Sequence, residues 1–204
     1  MPRIFILSPA NLGGIRAGYL LRDSASFELA RRVQDGGAPL GEVMSFCSGL
    51  YFRGKDVYAR AFARPPAGVG GAWVVTPNRG LLPLDTTVDA RDLRKLASGD
   101  IDAEDRRYRR PLVAALRKLD ADAGPGCELV LLGSIASAKY VDVLTAVLGE
   151  RLLFPPAFVG RGDMSRGSLM LRCAESGDEL PYTPVVGAAR HGVRPPKLPP
   201  RRWT

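Results

Sequence analysis

Short apolar runs alternate with segments of helical periodicity, and this alternation constrains the fold more than any other feature. Three runs predict buried strands: residues 4–7, 73–76 and 128–132. Four segments predict helices: residues 27–34, 89–96, 109–119 and 138–148. Residues 169–173 and 180–182 predict a hairpin around Ser176-Gly177-Asp178. The order of these elements predicts an α/β fold, a single compact domain over residues 1–186 with a central mixed sheet flanked by helices.

Positive charge is concentrated at the two ends of the chain. The 204 residues include 29 Lys and Arg against 21 Asp and Glu, a net charge of +8, which favours polyanionic partners. Residues 1–66 hold nine basic and five acidic residues, and residues 187–204 hold five basic residues and no acidic one. The prolines of residues 187–204 exclude a helix and predict an extended basic C-terminal arm. Such an arm is either a solvated tail or a nucleic-acid contact.

The cysteine and histidine content argues against several classes of protein. Cys47, Cys127 and Cys173 lie far apart and His191 is the only histidine, so neither a disulfide framework nor a zinc site is indicated. Unpaired cysteines are typical of a reducing compartment, and we expect a cytoplasmic protein. No apolar run reaches the roughly 18 residues of a membrane span. We therefore expect no metal, no cofactor, no membrane contact and no obligate protein partner.

Three loops that follow predicted strands combine small residues with a few polar or basic ones. They are residues 8–11 with Arg16 beyond them, residues 77–80 with Arg79, and residues 133–140 with Ser137 and Lys139. In open α/β sheets, ligands lie where such loops converge at the carboxyl ends of the strands. Small residues let backbone N–H groups approach a phosphate, but ordinary strand-to-helix turns have the same composition.

Residues 158–167 contain three glycines, with Arg161 and Arg166 on either side of Asp163 and Ser165. Dense glycine is typical of a tight turn or of close approach to a ligand. A carboxylate between two guanidiniums stays ionised near neutral pH. The segment is therefore either a structural turn in which Asp163 bridges its own arginines, or an anion-binding loop that holds a catalytic carboxylate against a phosphate backbone.

Residues 45–58 mix aromatic side chains with Arg53 and Lys55. Aromatic faces stack on bases while basic groups pair with phosphates, so this segment is a candidate nucleic-acid contact. A buried aromatic cluster with a solvated basic edge explains the same pattern equally simply.

Five short motifs occur in an order found in a known family. Ser-Pro-Ala at 8–10 follows the first strand, and Phe-Arg-Gly-Lys-Asp-Val-Tyr at 52–58 is a Gly-x-Val-Tyr segment with one extra residue. Gly-Leu-Leu-Pro-Leu-Asp at 80–85 is one residue short of Gly-x-Leu-x-Pro-Leu-Asp. Ala-Ser-Ala-Lys-Tyr at 136–140 has Lys139 in place of an acidic residue, and Arg-Gly-Asp-Met-Ser-Arg at 161–166 is complete. Together these motifs resemble the peroxide-stress YaaA family.

The resemblance implies a compact α/β fold that binds DNA, with a site formed by Ser8, Tyr58, Arg161, Ser165 and Arg166. Glycosylases that remove modified bases are linked to this fold more loosely. The proline-rich basic arm is an addition to the family pattern.

From these observations we expect a DNA-binding, base-processing enzyme: a metal-independent DNA N-glycosylase that removes a modified or damaged base, in phage defence or a stress response. N-glycosidic cleavage needs an extruded base, a stabilised positive charge on the sugar and a positioned water. The expected partner is double-stranded DNA with an extruded base. The candidate residues are catalytic Asp163, Asn11 and Asp56; phosphate-binding Ser8, Arg16, Arg53, Lys55, Arg79, Ser137, Lys139, Arg161, Ser165 and Arg166; and base-stacking Tyr51 and Tyr58.

Two other functions fit the same residues. A non-catalytic DNA-binding protein of the oxidative-stress response needs only the charge and the loops, and its affinity would fall steeply with salt. A nucleotide or nucleoside enzyme would use the strand-end loops as phosphate cradles, and a free nucleotide would raise its melting temperature.

Overall fold

The computed structural model describes residues 1–199 and contains a six-stranded mixed sheet. The eight strands are β1 Arg3–Leu7, β2 Ala38–Pro39, β3 Ala72–Thr76, β4 Gly80–Pro83, β5 Thr87–Val88, β6 Glu128–Leu132, β7 Leu152–Phe154 and β8 Thr183–Pro184. The sheet order is β4-β3-β1-β6-β7-β8, and β2 pairs with β5 separately. Strand β1 is parallel to β3 and β6, β7 is parallel to β6, and the edge strands β4 and β8 are antiparallel to their neighbours.

Helices cover both faces of the sheet. The eight helices are α1 Ile15–Leu20, α2 Glu28–Asp35, α3 Leu40–Ser48, α4 Leu50–Phe62, α5 Ala90–Ala97, α6 Arg106–Ala123, α7 Ala138–Leu148 and α8 Asp163–Ser176. Phe5 and Leu7 of β1 pack in a core with α1–α5 and α8, whereas Ile4 and Ile6 pack in a second core with α6 and α7. Every residue of β1 is buried, as expected for a central strand covered on both sides. The predicted α/β fold with a central mixed sheet is confirmed.

Helices α4 and α8 cross at a pair of glycines. A Cβ atom on Gly54 would lie 2.6 Å from the carbonyl oxygen of Gly167, and a Cβ on Gly167 would lie 2.6 Å from that of Leu50. Backbones can approach this closely only where neither residue has a side chain. The crossing therefore brings the first turns of α8 against α4, and with them residues 161–166 against residues 50–55.

The predicted hairpin at residues 169–173 and 180–182 is wrong. Residues 169–173 lie inside α8, whose buried residues Arg166, Gly167, Met170 and Cys173 recur at helical spacing. The turn around Gly177 ends this helix, because Gly177 adopts the left-handed conformation at φ 76° that favours glycine. Between this helix and residue 199 the structure has one strand, β8, which pairs with β7.

The described part of the C-terminal arm, residues 187–199, lies along the domain. Arg190 forms an ion pair of 2.7 Å with Asp142 of α7, and Gly192 contacts Val159. Arg172 of α8 donates a hydrogen bond to the carbonyl oxygen of Pro199. The predicted division of the chain at residues 186 and 187 stays a prediction, and residues 200–204 of the predicted arm lie outside the described residues.

Candidate active site

An open cleft of about 510 Å³ lies at the carboxyl ends of β1, β3 and β6. The two strands that neighbour β1, β3 and β6, lie on opposite sides of it, so the strand order reverses at β1. A ligand crevice is expected at the carboxyl ends of the strands where the order reverses. All three of the strand-end loops that were predicted to converge around a ligand contribute to this cleft. Their contributions are residues 8–13, Pro77, Ser134 and Lys139, and further lining residues include Tyr51, Asp100, Tyr140 and Asp163.

Lys55 does not itself line the cleft; it is only 1% exposed and contacts Ser8 and Tyr51, which do line it. Its Nζ is 2.6 Å from Ser8 Oγ and 2.8 Å from the Ser8 carbonyl oxygen, and it sits 3.9 Å from the ring centroid of Tyr51. Burial lowers the pKa of Lys55 to about 7; Asp163 opposes that shift and Arg166 adds to it. The predicted phosphate-binding role of Lys55 is wrong, because an amine this deep cannot reach a phosphate at the surface.

Ser8 directly follows β1 and is held by the adjacent strand. Its N–H donates to the Leu132 carbonyl at 3.2 Å, and its Oγ lies 3.5 Å from the same oxygen. Gly133 leaves room for it, because a Cβ there would lie 3.1 Å from both Ser8 Oγ and the Tyr140 hydroxyl. The Tyr140 hydroxyl donates to the Ser134 carbonyl at 2.8 Å. Ser8 is thus fixed at the cleft floor rather than in a phosphate cradle at its rim.

The motif at residues 161–166 forms the start of α8 and not a loop. Asp163 is the first helical residue, where the positive end of the helix dipole favours a carboxylate. Its side chain is 64% exposed, lines the cleft and accepts a hydrogen bond of 3.1 Å from Arg166. Arg161 instead donates to the Ala157 carbonyl and to Ser165 Oγ. Asp163 therefore pairs with one of its two arginines and keeps a face open to the cleft.

A concave surface of about 450 Å³ that contains four arginines borders this motif. We call it the arginine groove; it is lined by Ala136, Gly160, Arg161, Gly162, Arg166, Arg190, His191, Gly192 and Arg194. Two of its arginines come from the motif and two from the C-terminal arm. The predicted phosphate-binding residues Arg161 and Arg166 lie in this groove, and Lys139 lies on the rim of the cleft.

Tyr58 and Asp56 are two of the predicted site residues that do not line the cleft. Tyr58 is completely buried. Its hydroxyl is hydrogen-bonded to the hydroxyl of Tyr182 and accepts a hydrogen bond from the Leu180 N–H, so its predicted role in base stacking is wrong. Asp56 forms a 2.6 Å ion pair with Arg60 and is absent from the lining of the cleft, which removes it as a catalytic candidate. The alternative of a buried aromatic cluster is correct for Tyr58.

The remaining predicted residues have local partners or exposed positions. Asn11 lines the cleft, and its Oδ1 accepts the Gly13 N–H, which leaves the amide NH2 group as a donor. Tyr51 lines the cleft with an 8% exposed side chain. The others are outside the cleft lining: Arg16 donates to the Phe46 carbonyl, Arg53 is exposed, Arg79 pairs with Asp92, Ser137 caps α7, and Ser165 accepts from Arg161.

Three residues that shape the site, Tyr140, Gly54 and Gly167, are not among the candidates predicted from the sequence. Tyr140 lies within the motif at 136–140, and that motif is the signal from which it could have been found. Gly54 and Gly167 position the site without touching it, and no local signal marks a glycine as a helix-crossing contact. Burial raises the pKa of Tyr140, although its interactions with Ser8 and Arg166 oppose that shift.

Among residues 1–199, no group of three His, Cys, Asp or Glu side chains has an arrangement that could hold a metal ion. Over the same residues, no helix combines the length and apolar character needed to cross a membrane.

No family model, curated protein or solved structure matches this chain. The resemblance to the YaaA family therefore stays a prediction from five motifs, and the case for a functional site depends on the geometry of the cleft and the groove.

Proposed function

We propose that this protein binds DNA and cleaves the N-glycosidic bond of one extruded, modified or damaged base. The observation that carries the proposal is that the cleft and the arginine groove meet at an ion pair: Asp163 lines the cleft, and Arg166, 3.1 Å from it, lines the groove. The cleft volume of about 510 Å³ lies within the range of small-molecule sites, which is sufficient for a nucleoside. The groove offers the cations that phosphates on either side of that nucleoside require.

Asp163 is the proposed catalytic carboxylate. Its side chain lies at the start of α8 and lines the cleft, and its Oδ1 accepts a charge-assisted hydrogen bond of 3.1 Å from Arg166. An ionised carboxylate beside the sugar stabilises positive charge that develops at C1′ and orients the attacking water. Water then forms the bond to C1′ while the C1′–N bond breaks; the base leaves with the bonding electrons and takes up the proton that the water loses.

Asn11 is proposed to contact the base. Because its Oδ1 is occupied by the Gly13 N–H, the amide NH2 group is the part that remains to donate to an acceptor on the base edge. Of the two predicted base-stacking residues, Tyr51 remains the aromatic candidate, although its ring also packs against Lys55. Its contribution is a wall of the cleft rather than an open stacking platform.

Base release tests this function. Purified protein is incubated with unmodified duplexes, damaged duplexes and duplexes carrying modified pyrimidines, and abasic sites and free bases are quantified. We expect release from at least one substrate, and we expect Asp163→Asn to slow it by about 10²-fold or more. Asp35→Asn, at the exposed end of α2, is the matched control. Unchanged release by Asp163→Asn would overturn the carboxylate assignment.

Intact DNA with every substrate would refute cleavage, and salt-sensitive binding in that case would favour the non-catalytic alternative. Stabilisation by a free nucleotide without DNA binding would instead favour a nucleotide enzyme. These three outcomes separate the proposed function from the two others considered in the sequence analysis.

The arm gives the DNA-binding part of the proposal its own test. Each phosphate contact contributes about 0.9 to the slope of log affinity against log salt concentration. Replacing Arg190 and Arg194 together by Ala should therefore flatten the slope by about 2. Arg31→Ala, on exposed α2, is the control and should leave the slope unchanged. An unaltered slope in the double variant would exclude the arm from the DNA contact.

A further inference from the structure

Ser8 and Lys55 form a close polar pair at the floor of the cleft that the proposed glycosidic cleavage does not use. The Nζ of Lys55 lies 2.6 Å from Ser8 Oγ, and Ser8 lines the cleft. Among residues 1–199 no carboxylate forms an ion pair with the amine, whose contacts are the two oxygens of Ser8 and the rings of Tyr51 and Phe52. A buried ammonium without a paired carboxylate is costly, so this environment favours the neutral amine.

A neutral amine fits these contacts atom for atom. It has two N–H donors and one lone pair, and the donors match the Ser8 carbonyl at 2.8 Å and the face of the Tyr51 ring. The lone pair is then left for the hydroxyl proton of Ser8. When the amine is protonated it must instead donate to Ser8 Oγ, and the hydroxyl proton turns to the Leu132 carbonyl at 3.5 Å. The two protonation states therefore differ in whether Ser8 faces a base.

We propose that Ser8 is a nucleophile and Lys55 its general base, which gives the cleft a second activity: hydrolysis of a carboxylic ester carried by a phosphate-bearing molecule. Serine with an adjacent unprotonated lysine is a known form of activated nucleophile. The ester is placed on a phosphate-bearing molecule because the arginine groove adjoins the cleft. The activity goes beyond the proposed function and does not depend on it.

The reaction balances without any group other than water. Ser8 Oγ attacks the ester carbonyl carbon while its proton passes to Lys55 Nζ. The bond from that carbon to the leaving oxygen then breaks, the leaving alkoxide takes the proton from the ammonium, and an acyl-serine remains. Water attacks the acyl-serine with the same assistance from Lys55, which releases the carboxylic acid and restores Ser8.

Tyr51 offers a donor for the negative charge that develops on the carbonyl oxygen. Its hydroxyl is buried, makes no hydrogen bond of good geometry among residues 1–199 and lies near the Arg166 guanidinium, and the tyrosine lines the cleft. An unpaired buried hydroxyl is unusual and needs a ligand or water to satisfy it. Asp163, Arg166 and Tyr140 are the other ionisable groups whose charges act on this region.

The test is labelling with a fluorophosphonate, which forms a bond from Ser8 Oγ to phosphorus and expels fluoride. Peptide mass spectrometry locates the adduct. We expect labelling at Ser8 whose rate rises with pH around a midpoint near 7, the pKa to which burial lowers Lys55. Ser8→Ala should remove the label and Lys55→Met should slow labelling by about 10²-fold. Ser48→Ala, a serine of the same cleft, is the control and should label normally.

If Ser8 and Lys55 had only a structural role, Ser8 would not be labelled or the labelling rate would not depend on Lys55. A folded protein that is not labelled at Ser8, or labelling at an unchanged rate in folded Lys55→Met, would overturn the proposal. If Lys55→Met does not fold, Asp163→Asn provides the second test: it removes a carboxylate that raises the pKa of Lys55, so the labelling midpoint should move to lower pH. A midpoint that stays in place would also overturn it. The assay contains no DNA, so its failure is distinguishable from failure of base release.

Discussion

Replacing Lys55 by Met should abolish a specific pH dependence of the free energy of unfolding. The unfolded amine has an ordinary pKa of 10.5, whereas burial lowers the pKa of the folded one to about 7. Between these values the unfolded chain binds one proton more than the folded protein, so stability rises with pH. The contribution is complete above the unfolded pKa and is lost as the pH falls through the folded one.

The pH range for measuring the contribution of Lys55 to the free energy of unfolding is chosen to avoid the titration of Cys47 and Tyr58. Burial raises the pKa of Cys47 to about 11 and that of Tyr58 to about 12, so these groups lower stability only as the pH passes their ordinary values of 9.0 and 10.0. The contribution of Lys55 is therefore measured from pH 7 to pH 9. Linkage over that interval gives a gain of about 2 kcal/mol in the wild type that Lys55→Met lacks.

Urea unfolding followed by circular dichroism at pH 7, 8 and 9 measures this difference. The wild-type free energy should rise relative to Lys55→Met by about 2 kcal/mol across the interval. Lys118→Met makes the same substitution at a side chain that is 76% exposed, and its difference from the wild type should stay flat. A constant difference for Lys55→Met would refute the reasoning, because it would mean that the buried amine keeps its proton throughout.

Two further predictions concern the scaffold. Gly54→Ala should destabilise the protein by about 1–3 kcal/mol, since its Cβ would meet the Gly167 carbonyl at 2.6 Å; Gly18→Ala, with open space around it, should not lower the melting temperature, and equal effects would contradict the packing argument. Burial acts to raise the pKa of Glu179, but hydrogen bonds from Arg3 and other groups outweigh it and lower the pKa. Glu179→Gln should therefore lose stability at pH 7, and the loss should shrink below pH 4.5, whereas a loss independent of pH in acid titration would exclude the linkage.

The architecture was predictable because its signals are local. Residues 4–7 and 128–132 are apolar runs that end at small residues, and both are central strands of the sheet. Helix α7 was predicted at residues 138–148, its observed bounds. Helix α8 was missed because the apolar run at 169–173 also fits a strand, and only packing against α4 distinguishes the two.

The site was predictable in its loops but not in its interior. The position of residues 8–11 at the cleft follows from the rule that loops at the carboxyl ends of strands converge. The burial of Lys55 does not follow from its neighbours in sequence, because Arg53 two residues earlier on the same helix is exposed. Which basic residue faces the core depends on how α4 rotates against β1 and α8, and the close contact between Gly54 and Gly167 fixes that rotation.

Photocrosslinking of a single extruded base locates the DNA most directly. A duplex with one mismatched 5-iododeoxyuridine is irradiated with the protein, and the crosslinked peptide is identified by mass spectrometry. The account predicts crosslinks to the cleft, in the peptides that contain residues 8–13, Tyr51 or Tyr140. Crosslinks confined to the separate basic surface of α6, formed by Arg106, Arg109, Arg110 and Arg117, would place DNA elsewhere and contradict the proposal that the cleft receives the base.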